Sequence, residues 1–492
     1  MMKVLTFKTC LLATILLIIA TNNHAQKKPQ KGSTQPQLKE IFEDAAFFYE
    51  SGDYREALYN YLKLHEAMPD NHNINFQIGM CYINIPGEET KSLPYLEKAS
   101  ANISAKYKAN TLEEKKAPLY ALYYLGNAYR INNQLTEALN AYNKFRNSPK
   151  FESTYNSQMV DNEIDACSRA KIIQDLPVDI KVTPLPSVIN TAGTNNHAIT
   201  NVEGSILIYV SELKFYNAIF VSYRTDTGWS TPQNINPQIG NDGECYPTCI
   251  SSDGKELFIV KQQKGNNDLY VSVLNENNKW SLMKPLNKNI NSSKNESAAT
   301  ISSDGKILIF SSDRRGGEGK LDLYLSKKDE NGEWGKPVNL GNKVNTPSNE
   351  TNPILCNDDK ILYFSSEGHF NMGGYDVFTT TMTDDNKWDV PINAGYPVCT
   401  TGNDLYYYPF NKGTKAFNCL TKEDGFGKED IYEIENYTVE KNLLSDKKPQ
   451  KILVKDEYTK AIIGGLYVND EETKKKVLSS LQKLSLTINN SK

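Results

Sequence analysis

Four tryptophans are the only ones in the chain of 492 residues, and they recur at nearly constant spacing. They are Trp229, Trp280, Trp334 and Trp388, so successive tryptophans lie 51, 54 and 54 residues apart. A steady period of about 50 residues indicates repeated supersecondary units that stack on one another. The chain around these tryptophans is therefore predicted to be a repeat architecture.

Two further sets of residues keep the same period, a turn anchor and a strand anchor. The turn anchors are Glu203-Gly204-Ser205, Asp253-Gly254-Lys255, Asp304-Gly305-Lys306, Asp358-Asp359-Lys360 and Lys412-Gly413-Thr414. The strand anchors are Ala218-Ile219-Phe220, Asp268-Leu269-Tyr270, Asp322-Leu323-Tyr324, Asp376-Val377-Phe378 and Asp430-Ile431-Tyr432. Both sets mark five units.

Each unit contains about four short strand candidates, which is the content of a β-propeller blade. Asp-Gly supplies the positive φ that a two-residue hairpin needs. Residues 178–437 are therefore predicted to form a five-bladed propeller, with six blades as the rival. The first and last units are degenerate, and residues 179–182 are expected to supply the strand that closes the ring. The tryptophans are expected to pack blades rather than stack on a ligand.

The sharpest unit contains Ser302-Ser303-Asp304-Gly305-Lys306 and Phe310-Ser311-Ser312-Asp313-Arg314. It resembles the WD40-like repeats of the Tol-system propeller protein and of many secreted proteins of the Bacteroidetes. The resemblance implies a propeller of the cell envelope.

The N-terminus is predicted to be a secretory signal peptide. Lys3 and Lys8 flank the apolar residues 11–20, and a polar stretch follows. The apolar run is shorter than the ~20 residues of a membrane span, so cleavage after Ala25 is favoured over an uncleaved anchor. Residues 26–37, which are basic and rich in proline and glutamine, are predicted to be a disordered linker. No later hydrophobic run is long enough to span a membrane.

Residues 38–175 have apolar residues at helical spacing. Leu125-Gly126-Asn127-Ala128-Tyr129, followed by a second helix, resembles the tetratricopeptide repeat. Ala45 and Gly79 lie 34 residues apart, the period of that family, whereas Gly79 and Gly126 lie 47 apart. About 13 extra residues, roughly 101–117, are therefore expected between the second and third units. The array is predicted either to present a groove to a partner peptide or to buttress the propeller.

The chain after the propeller is predicted to begin with a linker, residues 438–450. Residues 451–492 contain two strand candidates around a turn. They resemble the opening hairpin of a carboxypeptidase-regulatory-like β-sandwich, of which only a part is expected here.

Repeated carboxylates are the strongest candidates for chemistry. Glu244, Glu296, Glu350 and Asp404 occupy matched positions eight or nine residues before their turn anchors and could ring a central channel. Some five-bladed propellers are glycosidases that use a pair of carboxylates. Catalytic acids are usually unique in a sequence, however, whereas repeated ones cap turns or strands. We therefore predict that the protein is not an enzyme, and that it has no cofactor.

Other candidate sites are weak. The nucleophile elbow, the H-E-x-x-H zinc motif and the Walker loop are absent from the sequence. The propeller has only His197 and His369. Asp313 and Asp322 are candidate calcium ligands, and Arg314-Arg315 could contact an acidic partner, although a solvated loop is favoured.

Seven cysteines remain after the signal, an odd number that cannot all pair within the chain. Cys245 and Cys249 lie four residues apart without a second pair or nearby histidines, so a zinc site is disfavoured. The cysteines are expected to be small buried residues in strands, with one disulfide at most.

The net charge of −4, from 55 basic and 59 acidic residues, argues against a nucleic-acid partner. The order of modules resembles that of periplasmic Bacteroidetes proteins linked to the outer membrane and, in some members, to type IX secretion and gliding. Relatives commonly continue into a peptidoglycan-binding domain of the outer-membrane-protein-A type, for which this chain is expected to have no room. The resemblance implies a scaffold for protein partners in the periplasm or at the outer membrane, with glycan or peptidoglycan association open. The alternative is a carbohydrate-binding or glycoside-cleaving propeller.

Overall fold

The structure is a computed structural model that describes residues 35–149, 151–263, 266–356, 358–445, 449–455, 462–484 and 487–489. The predicted signal peptide and most of the predicted linker lie outside the described residues. The last three residues of that linker, from Gln35 to Gln37, begin the first helix. No helix in the described part of the chain is long and apolar enough to cross a membrane.

Helices form the first part of the described chain, as predicted. They are α1 (Gln35–Glu50), α2 (Tyr54–Ala67), α3 (His72–Ile83), α4 (Leu93–Ser100), α5 (Ala121–Ile131), α6 (Leu135–Arg146), α7 (Phe151–Thr154) and α8 (Ser157–Gln174). A 3-10 turn, Glu89–Ser92, precedes α4, and two short parallel strands, β1 (Ile103–Ser104) and β2 (Ala117–Pro118), lie between α4 and α5. From α1 to α6 each helix contacts the next, and α6 contacts α8. We call these helices the array.

Glycines allow the helices of the array to approach closely. A Cβ on Gly79 of α3 would lie 2.5 Å from Leu96 Cγ of α4, and one on Gly126 of α5 would lie 2.3 Å from the Tyr142 ring of α6. Since Cβ atoms do not come so close to other atoms, the two contacts need glycine. The helices of these two pairs can therefore pack at this distance only with glycine at the contact.

The middle of the chain is a propeller of five blades, so the rival count of six is wrong. We letter the strands of each blade A to D from the innermost outwards. The blades are: blade 1, β4 (Asn195–Thr200), β5 (Ile206–Glu212), β6 (Asn217–Thr225) and the short β7 (Gly228–Trp229) and β8 (Gln233–Asn234); blade 2, β9 (Cys245–Ile250), β10 (Glu256–Gln263), β11 (Asn266–Val273) and β12 (Lys284–Pro285); blade 3, β13 (Glu296–Ile301), β14 (Ile307–Ser312), β15 (Asp322–Lys327) and β16 (Val338–Asn339); blade 4, β17 (Glu350–Cys356), β18 (Ile361–Ser366), β19 (Asp376–Thr381) and β20 (Ile392–Asn393); blade 5, β21 (Tyr408–Phe410), β22 (Lys415–Leu420), β23 (Asp430–Asn436) and β3 (Ile180–Pro184). A short helix, α9 (Asn236–Ile239), follows blade 1.

Strand β3, from before the first blade, is the outermost strand of blade 5. It pairs antiparallel with β23, with Val182 opposite Ile434. The predicted closure of the ring is thereby confirmed. Because neighbouring strands in a blade are antiparallel, the B–C and D–A connections lie on one face of the ring. We call it the upper face, and the opposite one the lower face.

The tryptophans pack between blades, as predicted. Trp280, Trp334 and Trp388 are buried. Each of them shares a hydrophobic cluster with residues of the preceding blade. Trp280 packs in a cluster with Ile219, Trp334 with Leu269, and Trp388 with Leu323. Trp229 is half-buried, and its ring lies 6.1 Å from that of Phe417 in blade 5.

The chain after blade 5 differs from two predictions. The predicted linker, residues 438–450, contains most of helix α10 (Tyr437–Leu444), whose first turn is capped because Asn436 Oδ1 accepts from Val439 N at 3.0 Å. The expected hairpin is present as β24 (Gln450–Lys455) and β25 (Ile462–Val468).

Helix α11 (Glu471–Lys483) and strand β26 (Thr487–Asn489), which pairs with β24, then follow the hairpin. A helix forms here because Asp470 caps its start, and because Val477 and Leu481, four residues apart, bury one face. The C-terminal segment is therefore a small α/β unit rather than the start of a β-sandwich. It shares a hydrophobic core with α8 and blade 4.

The array is docked on the upper face of blades 4 and 5. Arg130 of α5 donates to the backbone carbonyls of Thr401 and Gly402, in the connection from blade 4 to blade 5. Arg169 of α8 donates to Asn371 Oδ1 of blade 4 at 3.3 Å. The array therefore contacts the propeller directly, and the choice between groove and buttress stays a prediction.

Candidate functional site

The central channel contains two cavities, which meet at Ile354 and Tyr408. The lower cavity has a volume of about 260 Å³ and the upper one about 50 Å³. Asp359, at the lower mouth, accepts from Ser303 N at 3.0 Å and Ser303 Oγ at 2.6 Å. The upper cavity is lined mainly by aromatic and apolar side chains.

Two of the repeated carboxylates hold their own blades together. Glu350 accepts from Thr346 N at 2.9 Å, Thr346 Oγ1 at 2.6 Å and Ser366 Oγ at 2.8 Å. Asp404 accepts from Thr400 N at 2.7 Å and Thr400 Oγ1 at 3.0 Å. Burial raises the pKa of Glu350 to about 8 and that of Asp404 to about 7. These carboxyl groups join the connection above each A strand to the strand itself.

Glu296 has the same role in blade 3, with a cation added. It accepts from Ser292 Oγ and Ser312 Oγ, and the Arg314 guanidinium lies 3.0 Å from its Oε1. Arg314 also lies over the Phe310 ring, 4.9 Å from its centre. Arg314 is therefore occupied within its blade, and of the predicted basic pair only Arg315 is exposed.

Glu244 is the exception among the four. The residue four positions before it is Gly240, where the other blades have Ser292, Thr346 and Thr400. Gln262 lies opposite Glu244 and donates its backbone N–H to Glu244 O, whereas serines lie opposite Glu296 and Glu350. Glu244 is exposed, and its carboxylate contacts no hydrogen-bond or ion-pair partner in the described part of the chain.

Glu244 lines a cleft of about 340 Å³ on the upper face, between blades 1 and 2 and helix α2. We call it the upper cleft. Its lining residues are Arg55, Thr194, Asn196, His197, Val210, Glu212, Asn217, Gly243, Glu244, Cys245, Tyr246 and Gln262. Both the array and the propeller contribute to it.

A hydrogen-bonded chain runs along one side of the upper cleft. Asn196 Nδ2 donates to Glu429 Oε2 at 2.9 Å, and Asn196 Oδ1 lies 2.9 Å from His197 Nδ1. Since an amide oxygen only accepts, His197 Nδ1 carries the proton and Nε2 is the acceptor. The ring of His197 lies 4.5 Å from that of Tyr246 and 4.8 Å from that of Tyr406. Burial lowers the pKa of His197 to about 4, so the ring is neutral at pH 7.

The Glu89 carboxyl group of the array acts electrostatically on Glu429, the first member of this hydrogen-bonded series. Burial raises the pKa of Glu429 to about 7, and the negative charge of Glu89 adds to the shift. Burial also raises the pKa of Glu89. The 3-10 turn of the array therefore contributes an acidic side chain beside the upper cleft.

The candidate calcium ligands bind backbone amides instead. Asp322 accepts from Gly319 N at 2.9 Å, and its repeat equivalent Asp376 accepts from Met372 N at 2.7 Å and Gly373 N at 3.0 Å. Asp313 accepts from Asn295 N at 2.7 Å. Among the described residues, no group of three or more His, Cys, Asp or Glu side chains is placed to hold a metal ion.

The other predicted residues are buried. Cys245 and Cys249 lie in β9, and all seven described cysteines are buried and outside any disulfide within the described residues. Burial raises the pKa of Cys245 to about 12. His369 is also buried and contacts Val344 O through Nε2 at 2.9 Å.

A cavity of about 240 Å³ lies within the array. Its tyrosines are Tyr49, Tyr61, Tyr107, Tyr120 and Tyr124. Tyr107 comes from the insertion predicted near residues 101–117, and its hydroxyl donates to Asn73 Oδ1 at 2.8 Å. These tyrosines occupy different positions of the repeat, so the repeat pattern alone does not predict the cavity.

Sequence analysis also missed an asparagine repeated between blades. Asn345 Oδ1 accepts from Leu323 N at 2.8 Å, and Asn345 Nδ2 donates to Leu323 O at 3.0 Å. The equivalents are Asn190 on Ile431, Asn236 on Ile219 and Asn291 on Leu269. In blade 4 the place is taken by Cys399, whose Sγ donates to Val377 O at 3.3 Å. The spacing of 54 residues from Asn291 to Asn345 and from Asn345 to Cys399 was available as a signal.

No protein-family model matches the sequence, and neither does any curated protein. Among solved structures, TolB from Acinetobacter baumannii is 16% identical, with 56% of this chain and 70% of that chain covered and a TM-score of 0.34. An α-L-arabinofuranosidase from Lactobacillus brevis is 10% identical, with 53% and 93% covered and a TM-score of 0.34. Similarity this low carries no functional argument, and the fold is established by the strand topology above.

Proposed function

We propose that the protein is a non-enzymatic scaffold that holds protein partners in the periplasm or at the outer membrane. The observation that carries the proposal is the buried contact of Arg130 with Thr401 and Gly402, which fixes the array to the propeller. Two surfaces held in a fixed relation suit the positioning of partners. The predicted signal peptide supports an envelope location, and a role in type IX secretion or envelope assembly is part of the proposal.

The non-enzymatic part of the proposal is supported by the repeated carboxylates. Glu296, Glu350 and Asp404 are each engaged with hydroxyl and amide groups of their own blade. A glycosidase needs one carboxyl group as acid and a second as base or nucleophile. The glycoside-cleaving alternative is therefore less favoured, and it becomes an outcome of the test.

Photo-crosslinking in envelope extracts of the native host tests the proposal. A photoreactive phenylalanine is placed at Phe215, which is 84% exposed on the upper face of blade 1, or at Phe47, which is 65% exposed on α1. The control position is Val338, which is 66% exposed on the outer strand of blade 3. We expect defined protein adducts from Phe215 or Phe47 and none from Val338. The absence of adducts at all three positions, or release of sugars from envelope glycans, would reject the scaffold.

A further inference from the structure

We propose that the upper cleft binds an arginine or lysine side chain of a protein partner, with Glu244 as its counter-ion. This inference rests on the proposed scaffold function and names the chemistry of its partner.

Glu244 differs from its repeat equivalents in both burial and hydrogen bonding. Glu296 and Glu350 are fully buried and are held by hydroxyl groups on two sides. In blade 2 those hydroxyl groups are replaced by Gly240 and Gln262, yet the carboxylate is present. Its structural partners are missing, so the carboxylate is free to bind a group from outside the chain.

Three ion pairs flank the cleft, while Glu429 is held by Asn196 and, like Glu89, has its pKa raised by burial. The pairs are Arg55 with Glu88 at 2.8 Å, Lys428 with Glu212 at 3.0 Å and Lys261 with Asp242 at 3.5 Å. Hydrogen bonds from Lys428 and Thr194 outweigh the effect of burial and keep the pKa of Glu212 below its usual range. Glu212 is therefore ionised and already balanced at pH 7. Glu244 remains as the one carboxylate among the described lining residues without a cation.

The walls of the cleft suit a cation rather than an anion. The rings of Tyr246 and His197, which lie 4.5 Å apart, form an uncharged wall of the cleft. The neutral ring of His197 adds no positive charge, and its Nε2 is an acceptor without a hydrogen-bond partner in the described part of the chain. A guanidinium group can donate to an imidazole nitrogen and to a carboxylate at the same time.

The position of the cleft also fits a protein partner. Arg55 belongs to α2 of the array, whereas Glu244 and Tyr246 begin blade 2. A side chain seated between them belongs to a partner that contacts both modules. The volume of about 340 Å³ accommodates one long side chain with part of its backbone.

Saturation-transfer NMR on the mature full chain tests the proposal. The probe is a nine-residue glycine–serine peptide with one central arginine, compared with the same peptide carrying neutral citrulline. We expect saturation of the arginine side chain only, and Glu244→Gln is expected to weaken binding about tenfold, since a charge-assisted hydrogen bond is lost. Glu276→Gln is the matched control, because Glu276 is exposed in the lower turn of the same blade and loses the same charge.

Binding that is equal for arginine and citrulline, or unchanged in Glu244→Gln, overturns the inference. Absence of binding to either peptide also overturns it. The scaffold proposal is tested separately, because it fails when the protein with Glu244 intact gives no cross-linked adducts. If the Glu244→Gln protein gives the same adducts at Phe215 and Phe47 as the unchanged protein, the scaffold stands and the inference about the cleft is wrong.

Discussion

Arg130 Nε of the array lies 2.9 Å from Glu163 Oε2 in a buried ion pair, while the same guanidinium donates to the propeller. The Arg130 side chain is only 4% exposed. Because guanidinium donors engage α8 on one side and the carbonyls of Thr401 and Gly402 on the other, a single residue joins the two modules. The array cannot move relative to blade 4 without breaking the contacts of Arg130 with Thr401 and Gly402.

Arg130→Ala is expected to lower the free energy of unfolding by about 3 kcal/mol. It removes the cation from the Glu163 carboxylate, which keeps the hydroxyl groups of Tyr123 and Tyr142 as donors. It also removes the side-chain donor of the Thr401 and Gly402 carbonyls. The measurement is urea unfolding, together with hydrogen exchange of residues 400–404, which should become faster. Arg146→Ala is the control, because Arg146 pairs with Glu152 and Asp161 in more exposed positions. Equal losses in the two variants would contradict this account.

Arg314→Ala tests the cation of blade 3. The substitution leaves the buried carboxylate of Glu296 with hydroxyl and amide donors only, and it removes the contact with the Phe310 ring. We expect a loss of about 3 kcal/mol in the free energy of unfolding, measured in urea. The neighbouring Arg315 is exposed, so Arg315→Ala should change the free energy of unfolding by less than about 0.5 kcal/mol. A small effect at Arg314 would mean that the hydroxyl groups alone hold Glu296.

Asn345→Ala tests the asparagine that joins blades 3 and 4. It removes both hydrogen bonds to Leu323 and takes away the partner of its buried backbone N–H, whereas Leu323 O keeps the bond from Leu340 N. A loss of about 2 kcal/mol is expected from urea unfolding. Asn331→Ala, in an exposed turn of blade 3, is the control. Cys399→Ala should cost less than Asn345→Ala, because a thiol makes one weak bond to Val377 O. The reverse order would refute the equivalence of the two positions.

The blade architecture could be predicted from the sequence because its signals are local and repeated. Asp304-Gly305 marks a turn, Leu323 lies in the strand that follows, and the spacing to the next unit repeats both. The placement of Arg130 against Thr401 could not be predicted, since 271 residues separate them and neither belongs to a repeat signal. Helix α11 differs from the predicted β-sandwich because Asp470 caps its first turn and only Val477 and Leu481 of its apolar face are buried, a short signal beside two clear strands.

The candidate site was predictable only in part. The position of Glu244 was found through its repeat equivalents, but all four carboxylates were treated alike. The difference lies four residues earlier, where Gly240 replaces the serine or threonine of the other blades. His197 and Arg55 come together with Glu244 only through the docking of the array, a tertiary contact that no local pattern encodes.

The pH dependence of stability follows from Glu350. Its carboxyl group has a pKa of about 8 in the folded protein, against 4.5 for the ordinary group, because it is fully buried. Below pH 4.5 the Glu350 carboxyl group is protonated in both the folded and the unfolded chain, so its contribution to the free energy of unfolding is fully present. Between pH 4.5 and pH 8 the unfolded chain ionises first, and stability falls by up to roughly 4 kcal/mol as the pH rises.

Glu350→Gln should therefore flatten the decline in the free energy of unfolding between pH 5 and pH 8, because the amide keeps acceptor and donor groups near Thr346 and Ser366 without ionising. Asp404 and Glu429, whose pKa values are also raised, contribute a residual slope of the same sign. The measurement is urea unfolding at half-unit pH intervals, with Glu276→Gln as the control. An unchanged slope in Glu350→Gln would show that Glu350 is ionised in the folded protein at neutral pH and that its hydroxyl partners solvate the charge.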